Sequence, residues 1–213
     1  MKTVAIFMHQ PMCSIQGGNA IMSVLESKYK FKIFTKHSLE EDFFDDVDAV
    51  VFPGGFGNSD SFDCLLKNNG QRIKQFLNDG GKYLGICMGA YWAGSYYFDI
   101  LDSVDAVQYY KQPTADTRRP HTKNISIVWN GQEDKMFFND GCALIGDRTK
   151  FETIATYANG DPMAIMQNNI GLIGCHPESF PHWYDSYRWM RGLYHDGRHH
   201  KLLLEFVDKL MER

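Results

Sequence analysis

Two stretches of the chain carry residue types at a spacing that suits covalent chemistry. The first is Gly85-Ile86-Cys87-Met88-Gly89-Ala90. Before it, Lys82 to Ile86 reads as a short buried strand introduced by the Gly80-Gly81 break, and after it Ala90 to Gly94 can begin a helix. Glycines on both sides let the backbone turn sharply without Cβ clashes. A cysteine on such a turn presents its sulfur beside the first amides of the following helix, a setting that favours thiolate. The second stretch lies 89 residues downstream, where the apolar run Ile170-Gly171-Leu172-Ile173 ends in His176-Pro177-Glu178. Pro177 fixes the chain direction and disfavours helix at His176, so the strand end can hold His176 and Glu178 in a rigid relation. A thiol nucleophile needs a base within reach, and the base needs an orienting acceptor. Cys87, His176 and Glu178 supply these roles in that order. Alone, the first stretch reads equally as a buried cysteine in a glycine-rich turn, and any strand can end in His-Pro-Glu. The pair together points to a thiol nucleophile with its base and orienter.

The elements that must position these residues follow from the hydrophobic pattern. Thr3 to Met8 is a continuous apolar run, as for a buried strand of a parallel sheet. Gly17-Gly18 closes a loop, and Asn19 to Tyr29 shows helical spacing. Phe31 to Thr35 and Asp48 to Phe52 read as strands, with Ser38-Leu39-Glu40-Glu41 between them as a capping box. Asn69 to Asn78 is the helix that leads into the Lys82 strand. Alternating strands and helices with short connections predict a doubly wound, mostly parallel sheet, in which a site lies beyond the carboxyl ends of the strands. The turns at Pro53-Gly54-Gly55, Cys87 and His176 all fall there.

The second half changes character. Residues 95 to 122 read as irregular. Ile125 to Trp129, Lys135 to Phe138, Thr153 to Tyr157 and Pro162 to Met166 read as an antiparallel meander, with turns at Asn130-Gly131, Asn159-Gly160 and Asn168-Asn169. The chain is thus expected to be one domain over 1–213, with an irregular and β-rich insertion near 100–150 and a helical tail over 181–213. In that tail Lys201 to Arg213 is amphipathic.

Phe52-Pro53-Gly54-Gly55, Gly85-Ile86-Cys87-Met88-Gly89 and His176-Pro177-Glu178 resemble the class I glutamine amidotransferase superfamily. Longer matches, Val50 to Gly55, Gly80 to Tyr91 and Phe137-Phe138-Asn139-Asp140-Gly141, are similar to the N-terminal domain of certain eukaryotic biotin-protein ligases. The resemblance runs over roughly residues 3 to 180. It implies a flavodoxin-like fold and an amide substrate attacked by Cys87, with His176 moving the proton and Glu178 holding the imidazole. A tetrahedral intermediate needs two amide donors, and the family implies Met88 N–H and Gly55 N–H, with Gly54 allowing close approach. Tyr91 departs from the pattern, since many glutamine-using relatives carry Gln there; it is expected to line the pocket. No biotin-ligase catalytic region or synthetase region follows within the chain, so any ammonia is expected to pass to a synthetase or acceptor protein in trans, or to be released. Two alternatives stay open: hydrolysis of a non-glutamine amide or peptide, and a catalytically silent binding domain that keeps the fold.

Composition narrows the classes. A net charge of -4 offers no electrostatic case for nucleic acid or for an anionic membrane surface. No apolar run approaches a membrane span. Five cysteines, at 13, 64, 87, 142 and 175, are an odd set without paired spacing, which argues against a disulfide framework and for a cytoplasmic setting. No cofactor is implied. His195 and His199 have i, i+4 spacing, but Gly197 weakens a helix there, and a solvated basic turn is the expected reading of His195, His199 and His200 rather than a metal site. Cys175 is expected in the core, since it must point away from the side His176 faces. Cys13, at the same sheet edge, and Arg118-Arg119, able to bind a carboxylate or phosphate, remain candidate pocket residues.

Overall fold

Alternation along the first strands decides the layering. In β1 (Thr3–Phe7) Val4 and Ile6 pack on one side of the sheet while Ala5 and Phe7 pack on the other. The computed structural model describes residues 1–10, 13–39, 42–65 and 70–213. β1 lies parallel between β2 (Lys30–Phe34) and β3 (Ala49–Phe52), β3 lies beside β4 (Lys82–Ile86), and β4 lies beside a late strand, Ile170–Ile173. Apolar residues from α1 (Ile15–Leu25) and from a C-terminal helix, Arg198–Met211, cover one face. Those of α2 (Ser59–Leu65), α3 (Gly70–Asn78) and α4 (Met88–Trp92) cover the other. This is a doubly wound α/β fold. Among the described residues, no helix is long and apolar enough to cross a membrane.

The second half extends the same sheet rather than standing apart. The remaining strands are β5 (Val104–Gln108), β6 (Lys123–Trp129), β7 (Gln132–Phe138), β8 (Cys142–Gly146), β9 (Glu152–Tyr157), β10 (Pro162–Gln167) and β11 (Ile170–Ile173). The nine-stranded order is β2-β1-β3-β4-β11-β10-β9-β6-β7, with β10, β9, β6 and β7 antiparallel. The Asn130-Gly131 turn joins β6 to β7 with positive φ at both residues, as a tight hairpin requires. Two strands depart from the sequence reading. β5 lies inside the stretch read as irregular, and it pairs with the unforeseen β8 as a separate ladder. Its sequence, Val104-Asp105-Ala106-Val107-Gln108, has little apolar contrast and needs β8 beside it.

α1 begins at Ile15, four residues before its expected start. Ser14 caps it by accepting from the Gly17 amide at 2.9 Å. Gly17-Gly18 is therefore helical, not a loop end. A Cβ on Gly18 would stand 2.8 Å from the Met8 methyl, so the glycine answers to packing. Glu40 and Glu41 of the expected capping box lie outside the described residues, as does Asn69. The remaining helices are α5 (Pro181–Asp185) and α6 (Arg198–Met211), with Leu203, Phe206, Val207 and Leu210 of α6 buried against the sheet.

Candidate functional site

The carboxyl ends of β1, β3, β4 and β11 converge on one edge of the sheet, and the candidate residues meet there. At the end of β4, Cys87 takes φ 51° and ψ −103°, an unusual conformation for a residue with a side chain. The turn is fixed from several directions. Cys87 N–H donates to the Ile173 carbonyl at 2.9 Å, tying it to β11, and the amides of Ala90 and Tyr91 donate back to the Cys87 carbonyl. The Tyr83 hydroxyl donates to the Gly89 carbonyl at 2.6 Å. The flanking glycines are forced by contact. A Cβ on Gly85 would lie 2.4 Å from the Gly89 carbonyl oxygen, and one on Gly89 would lie 1.9 Å from that of Phe52.

From β11, His176 reaches the same place. Its Nδ1 bonds to Glu178 Oε1 at 2.8 Å, and its ring lies close enough to Cys87 for the two to interact electrostatically. Both His176 and Glu178 are buried. Burial alone would lower the imidazole pKa, but the charge of Glu178, then of Cys87, outweighs it and holds His176 well above its ordinary range. Phe137 and Trp183 meet the imidazole edge-on, at centroid distances of 5.8 and 5.7 Å. Glu178 Oε2 is buried with no hydrogen-bond partner among the described residues.

Gly54 and Gly55 follow β3. A Cβ on Gly54 would stand 2.9 Å from His176 Cε1 and 3.8 Å from Cys87 Cβ, so only a glycine lets this turn close on the pair. The turn is strapped to the loop after β1 by Ser14 N–H to the Gly54 carbonyl, 2.9 Å, and by a bridge between Cys13 and Gly55. The amide of Met88, first in α4, lies outside the helical i→i−4 ladder. Gly54, Gly55, Cys87, Met88, Tyr91 and His176 all line one cavity of about 980 Å³. Tyr91 donates from its hydroxyl to the Asp140 carbonyl at 3.1 Å.

Other candidates fall elsewhere. Cys13 is buried, its thiol donates to the Phe7 carbonyl at 3.0 Å, and it does not line the cavity. Arg118 donates to the carbonyls of Gln112 and Pro113, and neither it nor Arg119 lines the cavity. Cys175 lies in the core, its thiol toward the Tyr157 hydroxyl. The solvated turn expected for His195, His199 and His200 is wrong. His195 and His199 are buried, because Gly197, at φ 79°, starts α6 and turns both rings inward.

Sequence reasoning also missed one wall of the site. Asn139 and Asp140 follow β7, where the Asn139 carbonyl accepts from Cys87 Sγ at 3.5 Å and the Asp140 carboxylate accepts from Gln108 Nε2 at 3.2 Å. Burial raises the Asp140 pKa, against lowering by Gln108 and Lys111. These two residues stand in one of the longer matched stretches, yet nothing local marked them as site residues. Trp183 of α5 was likewise hidden in an aromatic tail.

Comparison with known proteins agrees with this fold. The family model "Biotin-protein ligase, N terminal" matches residues 12–108. No curated protein matches the chain. A glutamine amidotransferase from Thermotoga maritima superposes with a TM-score of 0.71 at 14% identity, over 100% of this chain and 99% of its own. Another structure described as a glutamine amidotransferase gives 0.64 at 14% identity, over 96% and 98%. A putative GMP synthase subunit from Thermoplasma acidophilum gives 0.61 at 15% identity, over 100% and 98%. The chain thus has the class I glutamine amidotransferase fold, and its first half matches the biotin-protein ligase N-terminal family.

Proposed function

We propose that this protein is a cysteine-dependent amidotransferase or amide hydrolase. Cys87 sulfur, its proton already passed to His176, attacks the amide carbonyl, and the amides of Gly55 and Met88 hold the oxyanion. The C–N bond then breaks, His176 returns the proton to the leaving ammonia or amine, and Cys87 carries a thioester. Water deprotonated by His176 attacks it, releasing acid and restoring the thiol. Glu178 holds the imidazole throughout and balances its positive charge. The observation that carries this reading is that Cys87 and His176 line one cavity while His176 Nδ1 is bonded to the buried Glu178 carboxylate.

Iodoacetamide tests it through mass-mapped alkylation. Cys13, Cys142 and Cys175 are buried, and desolvation raises all three thiols; Cys64 is exposed, yet Cys87, with His176 as its base, should label before all four. His176→Ala should slow that labelling markedly. A Cys87 rate indifferent to His176 would remove the nucleophile–base assignment. A second reading, hydrolysis of an amide larger than glutamine, is favoured by Tyr91 in the cavity wall. Release of ammonia into a synthetase or acceptor protein in trans is compatible with either.

A further inference from the structure

The histidines of the C-terminal segment converge on the backbone just beyond Glu178. His195 Nε2 and His200 Nε2 each stand 3.0 Å from the Ser179 carbonyl oxygen, which accepts from both. The tautomer of His195 follows from its other nitrogen, since Nδ1 accepts the His199 amide at 3.3 Å and leaves the proton on Nε2. His199 in turn meets the Asp134 carboxylate at 3.1 Å. Ser179 and His195 are buried. The Ser179 hydroxyl pairs with the Tyr184 hydroxyl at 3.0 Å, and the rings of Tyr184 and Tyr194 enclose His195.

Such a double clamp on one carbonyl needs a reason, and Glu178 offers one. Among the described residues its carboxylate makes a single hydrogen bond, to His176, and Oε2 has no partner. Hydrogen bonds from side chains therefore hold only one of the two oxygens of the carboxylate. Its direction must come from the backbone, fixed on one side by Pro177 and on the other by Ser179. We propose that His195 and His200 are positioning residues: by donating to the Ser179 carbonyl they fix the chain that carries Glu178, and so the angle at which His176 meets Cys87. This inference rests on the proposed roles of Cys87, His176 and Glu178.

The test is the rate of Cys87 alkylation by iodoacetamide across pH, read by mass spectrometry on the whole chain. His195→Phe keeps a ring but no donor, and the rate near neutrality should fall about tenfold, the equivalent of one lost buried hydrogen bond, with an altered pH profile. His195→Gln returns a donor near the same point and should recover most of the rate. His200→Phe changes a less buried residue and should shift the profile in the same direction, which keeps the test open if His195→Phe fails to fold. A purely structural role would lower the melting temperature of these variants and leave the profile in place; that result overturns the inference alone. A wild-type Cys87 rate that ignores His176→Ala overturns it together with the reading beneath it.

Discussion

Cys87 keeps a side chain at φ 51°, and that costs about 1–3 kcal/mol of backbone strain in general. The strain can be isolated by comparing two variants that both lack the thiol. Cys87→Gly should be more stable than Cys87→Ala by about 1 kcal/mol, because only alanine retains the Cβ that the backbone disfavours. Urea melts of the two variants measure this directly, and equal stabilities would mean that the turn carries no strain. The glycines around it separate stability from chemistry in a similar way. Gly89→Ala would drive a Cβ into the Phe52 carbonyl, where α4 packs on the end of β3, and should cost about 3 kcal/mol. Gly54→Ala crowds the edge of the His176 ring and otherwise meets Cys87 Cβ at ordinary contact distance. It should shift the melting temperature by less than about 4 °C while slowing Cys87 alkylation, since the ring must turn aside. A Gly54→Ala variant that labels at the wild-type rate would show that His176 tolerates displacement.

At the scale of elements, the start of α6 links burial to pH. Desolvation first, then the neighbouring charges of His199, His200 and Arg198, lower the His195 pKa to about 3; desolvation also lowers that of His199. The sign is fixed by linkage. Below pH ~6.5 the unfolded chain binds a proton that the buried His195 refuses, so stability falls as pH drops from there toward 3, by at most about 1.4 kcal/mol per pH unit, and His199 acts in the same direction. His195→Gln removes one such group. Its urea midpoint should therefore fall less between pH 7 and pH 5 than that of wild type, and parallel curves would contradict the assignment. The same segment shows where sequence reading failed. Period-2 and continuous apolar runs made β1, β3, β4 and β11 legible, and with them Cys87, His176, Glu178 and the Gly54-Gly55 turn. β5 was hidden by its lack of apolar contrast, whereas β8, although an apolar run over Cys142 to Ile145, was not read as a strand. His195 and His199 were misplaced because an inward-facing helix start with Gly197 at its cap has the same local composition as a solvated turn.

At the scale of the whole molecule, the cavity is built from both halves of the chain. The glycine turn and the Cys87 turn come from the parallel half, while Gln108, Phe137, Asn139, Asp140 and Trp183 come from the extension and the tail. Its volume, about 980 Å³, sits at the upper end of the range usual for small-molecule sites. Tyr91 helps to decide what it accepts. The resemblance leads one to expect Gln at this place, whose amide both donates and accepts and can fix a zwitterionic amino acid. Here the hydroxyl of Tyr91 is already engaged with the Asp140 carbonyl, so what faces the cavity is mainly ring. An aromatic ring suits stacking against a flat or aliphatic group. Losing a polar contact to substrate costs about 1–3 kcal/mol, or one to two decades in kcat/KM. Free glutamine should therefore be turned over poorly, and amides borne on larger, partly apolar groups should be preferred. Tyr91→Gln should raise glutamine turnover relative to wild type without raising turnover of the larger amides. Ammonia release from glutamine and from a panel of larger amides, with Cys87→Ala as the blank, measures both. Brisk Cys87-dependent release from glutamine by the wild type, at a KM in the micromolar to millimolar range, would refute the preference.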